Sequence, residues 1–383
     1  MRIEVVQNPN QAKEWLLFPL EIYASDPNYI RPLDKDIEDV FKPSTNKFFK
    51  FGDCERWLLK NAADKIIGRI AVFTNKKWKN AQPTGGVGFF ECIDDQTAAN
   101  FMFDQAVSWL KERGMEAMDG PVNFGERDKW WGLLVKGFEE PLYNMNYNPP
   151  YYVDLFEQYG FQVYFNQVCP GMTVEQKLSD KFLNLHKKYE DNPDFSAEHI
   201  RVKELDKFTE DFVTIYNKAF AQHGGGKELD LRQAKFMFSK MKDIIDEKVV
   251  WFVYHKQNPI AMWINIPDLN QYFKHFNGKL GWWQKIQFVI MRYRKMCKRF
   301  VGVVYGVVPE FQGKGVDAYM IVECSKVVQP SKRYLKYEMQ WLGDFNPKML
   351  NLAKNLEAEE VRRLSTYRYL FDRSIPFERH PIL

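Results

Sequence analysis

The sequence predicts an α/β (more narrowly α+β) protein built from two tandem domains of one fold, each a mixed, mostly antiparallel sheet flanked by helices. The length of 383 residues suits two domains rather than one core. The order of apolar strands and amphipathic helices in the first half recurs in the second. We expect an N-terminal domain at residues 1–175, a charged linker at 176–198 and a C-terminal domain at 199–383.

Apolar periodicity predicts the elements of the first half. In order, they are a strand at 3–6, a helix at 11–23, a hairpin at 56–73, a strand at 86–92, a helix at 97–113, a strand at 115–123, a helix at 150–159 and two strands at 161–174. Gly114 follows the second helix and Gly160 the third, a position typical of glycine at helix C-termini.

The same order is predicted for the second half. Its elements are a strand at 199–203, helices at 209–221 and 231–245, a hairpin at 249–266, a strand at 300–308, a helix at 316–328, a strand at 334–341, a helix at 346–357 and a strand at 361–371. Asn148-Pro149 and Asn346-Pro347 open corresponding helices, with Asn as the cap and Pro at the first helical position. This echo favours a tandem duplication over chance similarity of two α/β patterns.

Composition excludes several classes of protein. The net charge of +4, from 54 basic and 50 acidic residues, is too small to indicate nucleic-acid binding by itself. The five cysteines are scattered and lack CxxC spacing, so we expect neither disulfides nor a metal site. The N-terminus has no apolar segment typical of a signal peptide, which predicts a cytoplasmic protein. Aromatic residues make up 16% of the chain, which indicates aromatic cores, a large apolar ligand site or a lipid-facing surface.

A glycine-rich turn at residues 307–317 is the sharpest motif. An apolar strand ends at Val307-Val308, and a Pro-Glu-Phe-Gln-Gly-Lys-Gly turn leads to a helix that begins at Val316. Glycines allow the backbone to approach a pyrophosphate, and the N–H groups at a helix start complement its charge. A turn of this type without a ligand is the alternative interpretation.

This turn resembles the cofactor loop of the GNAT superfamily of N-acetyltransferases, and it implies two tandem GNAT-like domains with acetyl-CoA or a longer acyl-CoA as co-substrate and no metal. Asp317 departs from the pattern, because a small residue is usual there. The resemblance implies one set of cofactor-binding residues: Val307, Val308, Gln312, Gly313, Lys314, Gly315, Val316, Asp317 and Asn346.

The first half has no such loop. Its corresponding strand runs into Ile93-Asp94-Asp95, whose carboxylates would repel phosphates. We therefore expect a degenerate domain that binds no CoA and instead walls the substrate site.

Further motifs resemble bacterial ceramide-synthase-like N-acyltransferases over nearly the whole chain. They are Gly120-Pro121-Val122-Asn123, the run from Gly132 to Phe138, the run from Tyr147 to Tyr152 and Pro267-Asp268-Leu269-Asn270. The resemblance implies acceptor-binding roles for Asn123, Tyr147, Asn148 and Tyr151, unless these residues serve helix entry and aromatic packing. His223, before three glycines, is the remaining substrate candidate, in an expected acceptor loop.

GNAT chemistry requires little covalent apparatus. Backbone N–H groups near Val307 and Val308 are expected to polarise the thioester carbonyl. Glu338 is the candidate base, because its strand runs beside the cofactor strand; a structural charge is the alternative. The superfamily often has a tyrosine acid seven residues after the helix-opening Asn, but this sequence has Ala353 there. Tyr367 and Tyr369 are the candidate substitutes, with core packing as the alternative.

A basic, aromatic insert at 269–299 separates the hairpin from the cofactor strand. Residues 269–308 contain no Asp or Glu. They contain eight Lys or Arg, which are interleaved with aromatic and aliphatic residues. This composition is typical of a helix at an anionic membrane surface, with contact expected through 282–299. The alternatives are a helix that packs on its own domain and, less favoured, nucleic-acid binding.

The sequence therefore predicts an acyltransferase that moves an acyl group from CoA to a primary amine, such as a lipid or long-chain amine, by direct attack. Its predicted location is cytoplasmic, with peripheral contact at the inner membrane face. The alternatives are an acetyltransferase acting on a small soluble amine and a non-catalytic CoA- or lipid-binding module.

Overall fold

A computed structural model describes residues 1–78, 80–221 and 228–382. Within them, fourteen strands join in one mixed sheet with helices packed against it, as the α/β prediction requires. The strand order is β1-β2-β3-β4-β5-β14-β7-β12-β11-β10-β9-β8, with β6 beside β14 and β13 beside β7. One apolar core lies under the strands of the first half and a larger one under those of the second. The prediction of a mixed sheet flanked by helices is confirmed.

The strands are β1 Arg2–Val5, β2 Cys54–Lys60, β3 Ile66–Phe73, β4 Thr84–Cys92, β5 Ala117–Gly120, β6 Leu133–Lys136, β7 Gln162–Thr173, β8 Phe195–His199, β9 Trp251–His255, β10 Asn258–Pro267, β11 Arg299–Val307, β12 Lys336–Met339, β13 Leu342–Gly343 and β14 Glu359–Leu370. The α-helices are α1 Pro9–Leu17, α2 Pro19–Ile22, α3 Asp34–Val40, α4 Gln96–Lys111, α5 Tyr152–Tyr159, α6 Asp180–His186, α7 Leu205–Tyr216, α8 Leu231–Met241, α9 Asn270–Phe273, α10 Trp282–Tyr293, α11 Val316–Val328 and α12 Pro347–Asn355.

Several predicted elements differ from the observed ones. The strand expected at 199–203 is β8, which lies at Phe195–His199 and so begins within the predicted linker of residues 176–198. The two strands expected at 161–174 are the single strand β7. Asn346 caps α12 as predicted, but Asn148 does not cap α5, because α5 begins at Tyr152. The predicted domain boundaries remain a prediction.

The halves exchange their last strands. β14, at the end of the chain, pairs with β5 of the first half, and β7, at the end of the first half, pairs with β12 of the second. β7 and β14 also pair with each other along nearly their whole length, antiparallel. Because each half completes its sheet with a strand of the other, the two halves form one continuous hydrogen-bonded unit.

A chain of four buried charges lies where the halves meet. Asp268 pairs with Arg299 at 2.7 Å, Arg299 with Glu338 at 3.2 Å, and Glu338 with Arg362 at 3.1 Å. All four residues are at most 6% exposed, and their charges sum to zero. Burial of charges is favourable only when each is paired and hydrogen-bonded.

The arginines also hold a segment of the first half. Arg362 donates to the carbonyls of Gly137, Glu139 and Glu140, and Arg299 donates to that of Glu140. Asn270 donates to the carbonyl of Pro141 at 2.9 Å, beside these contacts. The motif around Asp268 and Asn270 and the glycine run that ends at Phe138 thus serve one junction.

Replacement of Arg362 by Met should destabilise the protein by about 3–5 kcal/mol, because Glu338 loses one of its two arginines and three buried carbonyls each lose a hydrogen bond. Arg363 is the matched control: it is the next residue of the same strand, its side chain is 40% exposed, and it pairs with Glu360. Arg363→Met should cost at most about 1 kcal/mol. Urea unfolding followed by tryptophan fluorescence measures both, and equal losses would contradict the role of the buried chain.

Candidate functional site

An open edge of β11 forms the centre of the site. β11 pairs with β12 in parallel only from Arg299 to Gly302, and beyond Gly302 the two strands separate. At the same point, Val303 is an extra residue between the pairs that Gly302 and Val304 make with β10. Such a bulge re-aims backbone groups and is common beside active sites.

Backbone N–H groups of β11 point into this opening. The N–H of Val308 donates to the carbonyl of Ile260 at 2.9 Å, so it is not free, contrary to expectation. Since the hydrogen bonds of an antiparallel ladder alternate along a strand, the N–H groups of Tyr305 and Val307 point away from β10. The donors expected at Val307 and Val308 are therefore shifted towards the bulge.

The glycine-rich turn follows directly. After one 3₁₀ turn, Gln312 folds back and its side chain donates to the carbonyl of Val307 at 3.0 Å. Gly313 and Gly315 have φ angles of +69° and +89°, a region that disfavours side chains, which explains both glycines. A Cβ on Gly315 would also lie 3.0 Å from Leu185 of α6. The exposed Lys314 lies between the two glycines.

The start of α11 is open. Gly315 occupies its cap position, and no side chain of a described residue caps it. The first N–H groups of a helix, here from Val316 and Asp317 onward, have no partner within the helix and attract anions. The corresponding helix of the first half differs, because the carboxylate of Asp95 accepts from the N–H groups of Thr97 and Ala98.

Side chains also bind the backbone groups at the end of β4, the corresponding strand of the first half. At the end of β4, the hydroxyl of Tyr152 accepts from the N–H of Cys92 at 2.8 Å, and the hydroxyl of Tyr151 donates to its carbonyl at 2.7 Å. Asp95 and Tyr152 thus occupy in the first half N–H groups whose counterparts in the second half are open.

A cleft of about 500 Å³ occupies the opening between β11 and β12. Val303, Val304 and Tyr305 of β11 form one wall, and the apolar side of α12, which follows the cap Asn346, forms the other. The hydroxyl of Tyr337 accepts from Trp263 at 3.1 Å and lies against Gly302 at the bulge, where a Cβ would be only 2.3 Å from it. Burial raises the pKa of Tyr337, which keeps the hydroxyl protonated at neutral pH.

A second, apolar pocket lies next to the cleft, between the sheet and α11, and encloses about 450 Å³, part of it open to solvent. The two spaces share four lining residues, namely Trp263, Ile321, Tyr337 and Leu356. The remaining wall of the second cavity includes Phe300, Cys324 and Val328. The two spaces therefore adjoin at the four shared residues.

The expected catalytic residues do not meet at this cleft. Tyr337 and Met339 line it, so Glu338, between them on β12, points to the opposite face of the sheet. There both its carboxylate oxygens are bound by arginines, which makes it the structural charge named as the alternative. Tyr367 is buried in the first-half core and donates to Glu157, and Tyr369 packs on Tyr159. The assignments of base and acid are not supported.

The expected acceptor residues lie in the first half. Asn148 bonds the N–H and carbonyl of Leu134, and Tyr147 donates to Asp26. Both line a cavity of the first half, whereas Tyr151 binds Cys92 and Asn123 is buried without lining that cavity. His223 lies outside the described residues.

Sequence reasoning missed Tyr337, Val303 and the apolar cavity. A bulge depends on the register of two strands, which a single strand sequence does not reveal. The alternation of Tyr337 and Met339 around Glu338 was a usable signal, because it places the tyrosine and the glutamate on opposite faces.

Among residues 1–78, 80–221 and 228–382, no group of three or more His, Cys, Asp or Glu lies close enough together to hold a metal ion. Of the helices given above, none has the length and apolar character needed to cross a bilayer.

Comparisons with known proteins give a consistent picture, although no family model matches the chain. The chain is 24% identical over 388 residues to bacterial ceramide synthase of Caulobacter vibrioides, covering 94% of this chain and 95% of that protein. It is also 24% identical over 376 residues to protein YghO of Escherichia coli, covering 94% and 93%.

Solved structures share the fold. A tandem GNAT protein from the clavulanic acid biosynthesis pathway matches with a TM-score of 0.53 and 9% identity, over 98% of this chain and 99% of that one. The glucosamine N-acetyltransferase region of a fungal multi-domain β-N-acetylglucosaminidase matches with a TM-score of 0.55 and 11% identity. That match covers 96% of this chain but spans only 38% of the fungal protein. The chain therefore has the tandem GNAT fold, and its sequence is similar to that of bacterial ceramide synthase along almost its whole length.

Proposed function

We propose that the chain transfers an acyl group from acyl-CoA to a primary amine, and that it does so in the cleft of the second half. The observation that carries this proposal is the contrast between the halves: the open edge of β11 and the uncapped start of α11 correspond to groups that are closed in the first half. We propose that the first half binds no CoA, and that it instead supports the fold and forms a wall of the substrate site.

The loop residues hold the cofactor in this proposal. The N–H groups at the start of α11 and the backbone of Gly313 and Gly315 bind the diphosphate of CoA. Lys314 adds a cation, and Gln312 keeps the turn on the end of β11. Asp317 lies in the first helical turn, and we assign it no contact with phosphate.

The thioester then lies at the bulge. The N–H groups of Tyr305 and Val307 polarise its carbonyl as the neutral amine attacks, which forms the N–C bond. When the C–S bond breaks, the Tyr337 hydroxyl protonates the departing thiolate and regains a proton from solvent. No carboxylate lines the cleft within the described residues, so the amine gives its proton to water.

The apolar cavity favours a long acyl chain. It adjoins the cleft at Tyr337, where the acyl carbon would lie, and it is walled by the side chains of Phe300, Cys324 and Val328. Burial of each methylene is worth about 0.8 kcal/mol, so a chain that fills the cavity gains affinity over acetyl. A soluble-amine acetyltransferase would have no use for this space.

Gly315→Val should abolish CoA binding in a folded protein, because the new side chain disfavours the observed backbone and meets Leu185. Gly114→Val is the control: Gly114 also has a positive φ, +74°, but lies in open space in the first half. Each change should cost about 1–2 kcal/mol of stability through backbone strain. Calorimetry should show one CoA per chain for wild type and the control; unchanged affinity in Gly315→Val would overturn the loop assignment.

Thiol release from a series of acyl-CoAs, from acetyl to palmitoyl, tests the reaction. With pooled amines that include long-chain bases, we expect faster release for the longer chains. Cys324→Met, which extends a side chain in the cavity wall, should slow palmitoyl transfer more than acetyl transfer.

The same assay tests the acid. Tyr337→Phe should lower the rate about 100-fold with unchanged CoA affinity. Binding of CoA without any thiol release would support the non-catalytic module, and preference for acetyl-CoA would support the acetyltransferase.

We also propose that α10 contacts an anionic membrane. Its apolar residues point outward: Trp282 is 74% and Val289 is 63% exposed, which excludes packing of this face in the protein's own core. The outward residues follow helical spacing, namely Trp282, Trp283, Ile286, Val289, Ile290 and Tyr293. The opposite side holds the helix in place, since Phe288 packs on Tyr272 and Met291 is buried.

The basic residues of the insert divide into two groups. Arg299 belongs to the buried ion chain, Arg292 binds the carbonyls of Asp243 and Ile245, and Lys274 pairs with Glu140. The others form no ion pair with a described residue, and they are Lys279, Lys285, Arg294, Lys295 and Lys298. Each contributes about 1 kcal/mol near an anionic surface.

Flotation with vesicles of phosphatidylglycerol or of phosphatidylcholine tests this contact. We expect the protein to float with the anionic vesicles, and a Trp282→Ala, Val289→Ala double variant to stay in the soluble fraction. Phe101→Ala is the control, because Phe101 is an exposed aromatic residue on α4 of the first half. Equal recovery with both kinds of vesicle would contradict the membrane proposal.

A further inference from the structure

The first half contains a cavity that neither the cofactor loop nor the acyl path uses. It encloses about 920 Å³, part of it open to solvent, between the β3–β4 face and the segment that Arg362 and Asn270 hold. It lies at a bulge in β4, where Phe89 and Phe90 both oppose Ile70. The bulge of β11 at Val303 occupies the corresponding place in the second half. This cavity is thus the first-half counterpart of the cleft at the β11 bulge, where we propose that the reaction occurs. Among the described residues, no glycine-rich loop like that of the second half lies beside it.

The charges in its wall are already paired. Arg69 contacts Glu91 at 3.3 Å, and the hydroxyls of Tyr23 and Tyr152 donate to the same carboxylate at 2.8 and 2.9 Å. At the mouth of the cavity, the guanidinium group of Arg31 donates to both carboxylate oxygens of Asp34. A charged ligand would find no free counter-charge among these groups, and its desolvation would be uncompensated.

Three polar atoms of the wall residues remain without a partner among the described residues. The Tyr29 hydroxyl makes no hydrogen bond with a described residue, although its ring stacks on Tyr23 at 4.0 Å. The buried Nε of Arg69 and the buried Oδ1 of Asn144 also lack a partner among the described residues. Buried polar groups are almost always hydrogen-bonded, so a donor and an acceptor without partners in one cavity wall call for an explanation.

The backbone of the wall is strained at three positions. Phe89, Trp130 and Asn144 have φ angles of +49°, +43° and +64°, although none is glycine. The N–H of Trp130 donates to the carbonyl of Asn144 at 2.7 Å, and the Phe89 and Trp130 rings lie 5.7 Å apart. Such conformations persist only where the surroundings hold them, and they concentrate at ligand sites.

We propose that this cavity binds an uncharged ligand: a hydroxyl or amide group carried on a short apolar body. The polar group bonds Tyr29, Arg69 and Asn144, and the apolar body lies against Phe89 and Trp130. The site is separate from the proposed acyl-CoA site. Binding of the neutral ligand can therefore be tested whether or not the second half binds acyl-CoA.

Four probes of similar length and different charge test the proposal on the full chain with CoA present. They are hexan-1-ol, N-butylacetamide, hexylamine as its cation and hexanoate. We expect the two neutral probes to bind more tightly than both ions, as measured by ligand-detected NMR. Equal or tighter binding of either ion, or no binding by any probe, would overturn the proposal.

Two variants test whether the neutral probes bind in this cavity. Tyr29→Phe removes a hydroxyl that bonds no described residue, and Asn144→Gly removes the free acceptor while relieving its left-handed backbone. Each should weaken hexan-1-ol binding about three- to tenfold, the value of one neutral hydrogen bond. Gln257→Gly is the control, since Gln257 has a φ of +65° in the β9–β10 turn of the other half. Unchanged affinity in both variants would contradict the site.

Discussion

The buried chain Asp268–Arg299–Glu338–Arg362 is the constraint on which the rest of the structure depends. Its outer members come from a strand end and from the exchanged strand β14, and its arginines bind the 137–140 backbone of the first half. With β7 and β14 exchanged, neither half has a complete sheet alone. The same junction fixes β12 beside the first residues of β11, and the strands separate at the next residue. The cleft therefore exists where the ion chain ends.

The two halves differ in a few side chains at corresponding ends of strands and helices, and the proposed cofactor site depends on that difference. α4 and α11 follow corresponding strands, but Asp95 caps α4, whereas Gly315 leaves the start of α11 open. Tyr151 and Tyr152 bond the end of β4, whereas the N–H groups of Tyr305 and Val307 face a cleft. In the proposed function the first half binds no CoA, and the cavity at the bulge of its strand β4 is the site proposed for a different ligand.

Sequence reasoning succeeded where the determinants are local. The turn at Gly313 and Gly315, the cap at Asn346 and the carboxylate at Asp95 each follow from neighbouring residues, and α11 has the predicted bounds. It failed where pairing is long-range. The exchange of β7 and β14, the bulge at Val303 and the partners of Glu338 depend on residues more than 20 positions away, and no local pattern encodes them. Tyr367 and Tyr369 were misplaced for the same reason, since β14 lies in the first half of the sheet.

The central claim is that only the second half binds acyl-CoA, and hydrogen exchange on the intact chain tests it most directly. With saturating CoA, we expect slower exchange in peptides that cover residues 303–318 and the start of α12, because the ligand occupies their free N–H groups. Peptides that cover 87–98 should exchange at the same rate with and without CoA, because Asp95 and Tyr152 already bind those groups. Protection of 87–98, or none at 303–318, would contradict the account.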